Sequence, residues 1–222
     1  MNMSFEFLRV FSYWDVLLNG LGITLLFTIG AAIVGTLLGF VISLMRVAPS
    51  RFIKWPARLY VEFFRGTPML IQLFWIFFCL PLILGQDIPP YVSVMLSMVL
   101  FMAAITSETF RGSLKSISGE QHDACVALGL NFRVKAINVI FPQALLRSIP
   151  PLMSNVVSLF KESALISSVG IADLMFVSSN ISSSTGRPVE FLTAAAVIYF
   201  VVAFPATRLV DLIEKRFLIR FA

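Results

Sequence analysis

Long stretches without a charged residue constrain this chain more than any other feature. Residues 16–45, 66–86 and 88–107 contain no Asp, Glu, Lys or Arg. Each stretch is longer than the about 18 residues that mark a membrane-spanning helix. Hydrophobic residues make up 58% of the 222 residues and charged ones only 13%, a composition that soluble globular domains seldom reach. The bilayer is therefore the predicted solvent for most of this chain.

Two further segments are less purely apolar. Residues 148–160 are uncharged, Lys161 and Glu162 follow, and residues 163–172 are uncharged again. Residues 191–207 form a fifth segment that ends at Arg208 and is slightly short for a span. We predict an all-α integral membrane protein, one transmembrane domain of residues 1–222, with five spans at about 19–45, 67–85, 90–110, 145–166 and 191–212. The first run is too long for a signal peptide and lacks an adjacent basic flank, so we interpret it as an uncleaved helix.

Small residues repeat along the first span. Ala31, Gly35, Gly39 and Ser43 follow one another at four-residue spacing and so share one helix face. Small side chains let a second helix approach closely. The pattern predicts a tight helix crossing, and it carries no chemistry.

The charged segment between the third and fourth spans, residues 111–144, is predicted to be folded. Ser118 and Gln121 have the S-x-x-Q spacing of a capping box, so a helix should begin at Gly119. Gly129 supplies the left-handed residue that commonly ends a helix. A helix of about ten residues is expected between these two signals.

This predicted helix carries a small apolar patch. Ala124, Ala127 and Leu128 lie at i, i+3 and i+4, beside the charged Glu120 and Asp123. A patch of this size outside the membrane has no obvious use within the chain itself. The pattern therefore predicts a helix that docks on another protein.

The docking helix also carries a sequence signature. Asp123-Ala124-Cys125 is followed after three residues by Gly129 and after nine more by Val139-Ile140-Phe141-Pro142. The spacing resembles the EAA loop of the membrane subunits of bacterial ABC importers, which reads Glu-Ala-Ala, three residues, Gly, nine residues, Ile-x-Leu-Pro. Ala124, Gly129 and Pro142 match outright, whereas Asp123, Cys125, Val139 and Phe141 are substitutions.

Further motifs extend the resemblance over nearly the whole chain. They are Phe64-Arg65-Gly66-Thr67-Pro68 with Gln72 four residues later, Ser107-Glu108 with Arg111-Gly112, and Leu159-Phe160-Lys161-Glu162-Ser163-Ala164-Leu165. These resemble the polar amino acid branch of the same family, the permeases of the glutamate/aspartate, glutamine and histidine type.

The resemblance implies the transmembrane permease subunit of an ATP-driven importer of polar amino acids, such as glutamate, aspartate or glutamine. It implies a second permease, identical or homologous, ABC ATP-binding subunits in the cytoplasm, and an extracytoplasmic substrate-binding protein. ATP and Mg would be bound by the partner subunit, with no cofactor, metal or catalytic residue in this chain. The residues implied to couple to the ATPase are Asp123, Ala124, Cys125, Ala127, Leu128 and Gly129.

Basic residues concentrate in alternate connecting segments. They are Arg46, Arg51, Lys54 and Arg58 after the first span, Arg111, Lys115, Arg133, Lys135 and Arg147 around the docking helix, and Lys215, Arg216 and Arg220 after the fifth span. The other side holds only Arg9 and Arg187. The positive-inside rule then predicts that the N-terminus lies outside and the C-terminus in the cytoplasm. The resemblance implies a multi-pass protein of the bacterial inner membrane. This distribution of the net charge of +5 argues against nucleic acid as a partner, and membrane lipid is the expected surrounding of the spans.

A polar stripe runs along the fourth span. Ser154, Asn155, Ser158, Lys161 and Glu162 stand at i, i+1, i+4, i+7 and i+8 of a helix that is otherwise Val, Leu and Phe. Lipid is an unfavourable environment for this stripe, so it should face a partner subunit or a pathway. A hydrogen-bond network with the partner is one interpretation. We favour a translocation pathway that includes Asn155, Ser158, Lys161 and Glu162.

Arg65, Gln72 and Glu108 are further candidates for the pathway. Each also has a plain structural interpretation. An arginine near a membrane end commonly extends its charged group to the interface. A glutamate at the end of a span commonly forms a salt bridge with a neighbouring cation.

The sequence lacks the residues that nucleotide binding, triad catalysis and metal binding require. No G-x-x-x-x-G-K-[ST] loop is present to bind nucleotide phosphates. His122 is the only histidine, which leaves no catalytic triad and no metal-ligand cluster. Cys79 and Cys125 are placed at different depths, so no disulfide is expected. The Ser-rich residues 167–190 are predicted at the outer face, where an extracytoplasmic partner would bind.

Two other functions remain open from the sequence. An ion-coupled secondary transporter that acts without an ATPase could use Lys161 and Glu162, although its expected inverted repeat is missing. A structural membrane scaffold without transport is the third hypothesis, and the polar stripe of the fourth span speaks against it.

Overall fold

The computed structural model describes residues 6–221, with side chains described as far as Arg216, so the side chain of Arg220 lies outside the described residues. Those residues form α-helices joined by short turns and include no β-strand. The helices are α1 Trp14–Val47, α2 Arg51–Gly66, α3 Met69–Phe74, α4 Leu80–Leu84, α5 Pro90–Lys115, α6 Gly119–Ala127, α7 Phe132–Val134, α8 Phe141–Glu162, α9 Leu174–Thr185 and α10 Pro188–Phe221.

Tighter and wider helical turns join several of these helices into longer rods. A 3₁₀ segment, Phe7–Tyr13, leads into α1, and another, Ser163–Val169, extends α8. A π-helical segment, Trp75–Cys79, joins α3 to α4, and a second, Lys135–Ile140, joins α7 to α8. Such wide turns are rare in helices and are frequent at functional sites.

Three rods are long and apolar enough to cross a membrane: Phe7–Val47, Pro90–Lys115 and Pro188–Arg216. Two bent pairs also qualify if each pair counts as one span. Arg51–Gly66 meets Met69–Leu84 at 110°, and Phe132–Val169 meets Leu174–Thr185 at 51°. The described residues thus hold three to five candidate spans, and the all-α membrane class is confirmed. The exact limits of the five spans stay a prediction.

Helices α1 and α5 cross with almost no space between their backbones. A Cβ added at Gly35 would lie 2.6 Å from the Cβ of Met102, and one added at Gly39 would lie 2.7 Å from the carbonyl oxygen of Ala103. Ala31, Gly35, Gly39 and Ser43 are all buried. The tight crossing expected from these small residues is confirmed.

Two apolar clusters hold the bundle together. The larger lies between α1, α3, α5 and the α8 rod and is built on Ala31, Leu73, Met98, Leu159 and Ile166. The second lies between the start of α1, α9 and α10 and is built on Val10, Leu17, Leu174, Phe191 and Ile198. The larger cluster therefore holds the α8 rod against α1 and α5. The second cluster holds α9 and α10 against the start of α1.

The Ser-rich segment is more ordered than its composition suggests. Residues 174–185 form α9, which packs on α1 and α10 with Leu174, Ser178 and Ile181 buried. Ser178 Oγ donates to the carbonyl oxygen of Leu174 at 2.7 Å, and Thr185 Oγ1 donates to that of Ile181 at 2.6 Å. Because these hydroxyls bond within the helix, serine does not prevent α9 from packing in the bundle.

Candidate functional site

Helix α6 is closed at both ends, although not by the interaction expected at its start. Ser118 is the N-cap residue, but its side chain makes no capping hydrogen bond, so the predicted capping box is wrong in that detail. At the other end Gly129 has φ +67°. The amide of Gly129 donates to Val126 O at 2.9 Å, and that of Leu130 donates to Cys125 O at 3.0 Å. This pair of bonds is a Schellman motif, and it confirms the left-handed stop at Gly129.

The outer face of α6 carries most of the predicted coupling residues. Asp123, Ala124 and Ala127 are exposed, and Leu128 is 76% exposed. Cys125 is 3% exposed and faces the rest of the chain. Cys125 therefore anchors α6, and in this structure it cannot contact a partner subunit directly. The exposed set places apolar side chains beside one carboxylate on the outer face of α6.

Contacts with the start of the α8 rod hold α6 in place. Lys135 Nζ donates to the carbonyl oxygen of His122 at 3.3 Å, and Gln143 Nε2 donates to Gln121 Oε1 at 3.5 Å. Beneath them Ile117, Ile140 and Ala144 form a third apolar cluster. Helix α6 is thus attached to the rod that carries the polar stripe.

Glu108 lies at the centre of a charge cluster where α1, α2 and α5 meet. Its Oε2 is 2.8 Å from Arg46 Nη1 and 3.5 Å from Arg65 Nη1. Arg111 donates to both carboxylate oxygens, from Nε at 2.9 Å and from Nη2. The Arg46 and Glu108 side chains are 11% and 21% exposed, whereas that of Arg65 is 47% exposed. One carboxylate therefore faces three guanidinium groups, which leaves the cluster with a surplus of positive charge.

Gln72 is committed to the chain break between α2 and α3. Its Nε2 donates to Phe64 O at 2.8 Å, to Thr67 O at 3.0 Å and to Thr67 Oγ1 at 2.8 Å. The residue is 5% exposed. These bonds satisfy carbonyl groups that are left over where α2 ends. In this structure Gln72 stabilises the break and does not present its amide nitrogen to a pathway.

The polar stripe of α8 lies on the surface of the isolated chain. Ser154, Ser158, Lys161 and Glu162 are exposed, and Asn155 is half-buried. Asn155 Nδ2 donates to Thr109 Oγ1 at 2.8 Å, which ties one edge of the stripe to α5 next to Glu108. This chain therefore leaves most of the stripe uncovered.

Lys161 occupies the opposite edge of the stripe. It borders a groove of about 480 Å³ that α10 lines with Tyr199, Phe204 and Asp211 among others. Among the described residues no ion pair joins Lys161 to Glu162 or to Glu108. Asp211 is thus the carboxylate that shares this groove with Lys161, and within the described residues no salt bridge joins the two.

The predicted site residues fall into two groups. Arg65 and Glu108 are in contact, and Asn155 is linked to them through Thr109. Lys161 and Glu162 stand apart, toward the other end of α8. Two partners of Glu108 were absent from the predicted site. Arg111 has the i, i+3 spacing that could have identified it, whereas Arg46 is 62 positions away and has no local signal.

A buried polar cluster at Asp173 was also not anticipated. Asp173 is 0% exposed, and its Oδ1 accepts from the amide of Phe176 at 2.9 Å. Thr24 Oγ1 accepts from the amide of Leu174 at 3.1 Å, and a Cβ at Gly20 would lie 3.1 Å from Asp173 O. The signal in the sequence is an Asp directly before an apolar helix, as is typical of an N-cap. Within residues 6–221 no group of His, Cys, Asp or Glu side chains could hold a metal ion.

The fold and these motifs define a class of membrane transport component. Residues 35–219 match the family described as "Binding-protein-dependent transport system inner membrane component", and the chain belongs to this family. It is therefore a multi-pass inner-membrane protein. The family is one of binding-protein-dependent systems, which supports the ABC-importer interpretation over an ion-coupled secondary transporter.

Individual relatives are similar over nearly their full length. The arginine transport system permease protein ArtQ of Bacillus subtilis is 31% identical over 214 residues, 96% of this chain and 98% of ArtQ. The glutamate/aspartate import permease protein GltK of Escherichia coli O157:H7 is 33% identical and covers 90% of this chain and 92% of GltK. The putative glutamine transport system permease protein GlnP of Rickettsia felis is 31% identical, covering 97% and 99%.

Solved structures show the same fold. A chain of an amino acid ABC transporter crystallised with histidines superposes with a TM-score of 0.92 at 32% identity, covering 96% of this chain and 100% of that chain. A chain of the MetNI methionine ABC transporter, in an inward-facing conformation, gives a TM-score of 0.69 at 18% identity, covering 91% and 98%. The second match supports the fold alone.

Proposed function

We propose that this chain is the permease subunit of an ATP-driven importer of polar amino acids. The observation that carries the proposal is the full-length similarity to amino acid permeases together with the 0.92 superposition on an amino acid ABC transporter chain. The named substrates of the relatives include arginine, glutamate/aspartate and glutamine. These differ in side-chain charge and share an α-amino and an α-carboxylate group, so a cation in the pathway suits the whole class.

We infer that three surfaces serve three partners. The exposed face of α6 docks on a cytoplasmic ATP-binding subunit, because it is a small apolar surface held rigidly outside the apolar spans. The stripe of α8 faces a second permease, since this chain leaves it uncovered. A substrate-binding protein delivers the amino acid at the opposite face. Closure of the ATP-binding subunits then moves α6, and the α8 rod moves with it.

Uptake driven by ATP tests the transport class. The chain is co-expressed with its ATP-binding subunit and purified in mild detergent, and the complex is reconstituted into vesicles. Radiolabelled amino acid should accumulate when ATP and the loaded binding protein are present, and not when a proton or sodium gradient replaces ATP. Accumulation on the ion gradient alone would identify a secondary transporter. A ligand screen on the binding protein gives the substrate.

A substitution at the end of α6 tests the docking surface. Gly129→Val places a branched side chain at φ +67°, which costs about 1 kcal/mol or more and distorts the turn. We expect ATP hydrolysis to continue while amino acid uptake is lost. Gly119→Ala is the matched control, because a Cβ there meets nothing within 4 Å. Normal uptake by the Gly129→Val protein at normal expression would contradict the role of this turn.

A further inference from the structure

Helix α2 presents an apolar stripe that the rest of the chain does not cover. Phe52, Trp55, Leu59 and Phe63 are 92%, 69%, 55% and 58% exposed, and their spacing places them on one side of the helix. The helix is held to the bundle on its other side, where Val61 is 0% exposed. The exposed stripe is therefore not needed to pack α2 on α1 and α5.

The orientation of α2 is that of a helix at a membrane surface. It is bent by 110° from the segment Met69–Leu84, so it runs close to the membrane plane if that segment crosses the bilayer. Arg65, near its end, contacts Glu108, which lies beside Arg46 near the end of α1. Tyr60 Oη donates to the carbonyl oxygen of Leu100, well inside α5. One side of α2 thus faces the bilayer interior, at the level where α1 and α5 approach their basic ends.

The third side of α2 is basic. Arg51, Lys54 and Arg58 form this side, together with Glu62, and Arg58 pairs with Glu62 at 2.7 Å. No ion pair within the described part of the chain involves Arg51 or Lys54, and both residues are exposed. An aromatic stripe next to unpaired cations is the pattern of a helix that lies in the interface and attracts anionic lipids.

We propose that α2 is a binding surface for anionic phospholipid. Arg51 and Lys54 bind the headgroup phosphates, and Phe52, Trp55 and Leu59 insert among the acyl chains beneath them. Charge favours lipid over a symmetric contact with a second copy of this chain, because the same face of the copy would bring another two cations to this surface. By the topology proposed above, the lipid belongs to the cytoplasmic leaflet. This site is separate from the transport pathway and goes beyond the proposed function.

Fluorescence of Trp55 tests the proposal in the full-length chain. The chain contains three tryptophans, so Trp14→Phe and Trp75→Phe leave Trp55 as the only one. The protein is reconstituted in mixed vesicles of phosphatidylcholine and phosphatidylglycerol, with brominated acyl chains on one lipid or on the other at equal mole fraction. We expect brominated phosphatidylglycerol to quench Trp55 at least about fivefold more strongly, because each of the two basic residues should enrich anionic lipid about fivefold near the membrane surface.

Charge variants identify the source of the preference. Arg51→Gln with Lys54→Gln should make the two brominated lipids quench equally. Lys115→Gln with Arg133→Gln is the matched control, with two exposed basic residues removed elsewhere, and it should keep the preference. As a measurement without charge variants, raising the salt from about 0.1 M to about 1 M shortens the Debye length from about 10 Å to about 3 Å and should reduce the preference.

Three results would overturn the proposal. Equal quenching by both lipids would show an ordinary lipid contact without headgroup binding. No quenching by either lipid, with helical circular dichroism retained, would show that a second copy or another protein covers the stripe. Loss of the preference in the control pair as well would assign it to the overall charge of the protein and not to α2.

Discussion

A single carboxylate, that of Glu108, is shared by three guanidinium groups where α1, α2 and α5 meet. Removing that charge leaves Arg46 with an 11% exposed side chain and no anion beside it. We expect Glu108→Gln to lower the free energy of unfolding by about 2 kcal/mol, less than the about 3–5 kcal/mol for a fully buried pair because Glu108 keeps some contact with solvent. For a chain of this size that corresponds to a melting temperature about 5 °C lower.

Glu62→Gln is the control for this prediction. Glu62 also pairs with an arginine, at 2.7 Å, but both side chains are more than half exposed. Exposed i, i+4 pairs contribute about 0.3–0.5 kcal/mol, so the melting temperature should barely change. Equal melting temperatures for the two variants would show that the Glu108 cluster does not stabilise the fold.

Lys161 is the residue on which the proposed pathway depends most. A lysine within a span costs roughly 3 kcal/mol on insertion scales, and this chain offers it no ion-pair partner among the described residues. The substrate carboxylate is the counter-charge that we infer. Lys161→Met should therefore abolish uptake and leave both assembly with the ATP-binding subunit and basal ATP hydrolysis intact. Radiolabelled uptake and copurification measure the two properties.

Lys115→Met provides the comparison, since Lys115 is an exposed residue at the end of α5 and should tolerate the change. If Lys161→Met prevented assembly, Lys161 would be a structural partner of the second permease. If uptake were unchanged, Lys161 would be excluded from the pathway.

The predicted site residues show what a sequence can say about single side chains. The polar stripe follows from helical spacing alone, so it could be recognised without a structure. Gln72 could not be placed correctly, because its partners depend on how α2 and α3 meet at the break after Gly66. The same holds for Arg46 and Glu108, which come together only because α1 crosses α5.

Among the helices, the close crossing of α1 and α5 allows the most direct prediction about stability. A Cβ at Gly39 would lie 1.9 Å from Thr106 Oγ1 and 2.7 Å from Ala103 O. Gly39→Ala should therefore separate the two helices and cost about 1–3 kcal/mol, the usual range for overpacking. Thermal unfolding of the purified protein measures the loss.

Two further variants test whether the clash with α5 causes the loss of stability. Gly22→Ala lies on the same helix with nothing within 4 Å of the added Cβ, so it should be neutral. Adding Thr106→Ala to Gly39→Ala should restore only part of the stability, because the carbonyl oxygen of Ala103 stays in the way. An unchanged melting temperature for Gly39→Ala would mean that the helices can separate without loss.

Elements were predictable where a local signal existed. The absence of charge and the repeat of small residues indicated the long helices and their tight crossing. The bends were not predictable in size, since 110° and 51° depend on what each half packs against. Helix α9 was difficult to recognise because it is rich in serine, and the hydroxyl bonds of Ser178 and Ser184 to carbonyl groups of the helix exist only once the helix has formed.

For the whole molecule, orientation in the membrane is the testable property. The basic segments predict that α6 lies in the cytoplasm and that the turn after α4 lies outside. In a Cys79→Ser background, Gln86→Cys should react with an impermeant thiol reagent added to intact cells, and Ser118→Cys should not. Both positions are exposed in the structure, so access within the fold does not limit the reaction. The opposite labelling pattern would reverse the topology.

The close approach of α1 and α5 also limits how this molecule can move. At Gly35 and Gly39 the side chains of Met102 and Thr106 pack directly on the α1 backbone. The two helices therefore cannot slide past each other without a clash, and they form one rigid unit. A conformational change that moves the opening of the pathway from the outside to the inside must then occur by bending at joints, the positions where the helices are interrupted. Within the described residues such joints include the break after Gly66, the wide turns Trp75–Cys79 and Lys135–Ile140, and the left-handed turn at Gly170. The α1–α5 pair would then rotate as one rigid body while the chain bends at these joints.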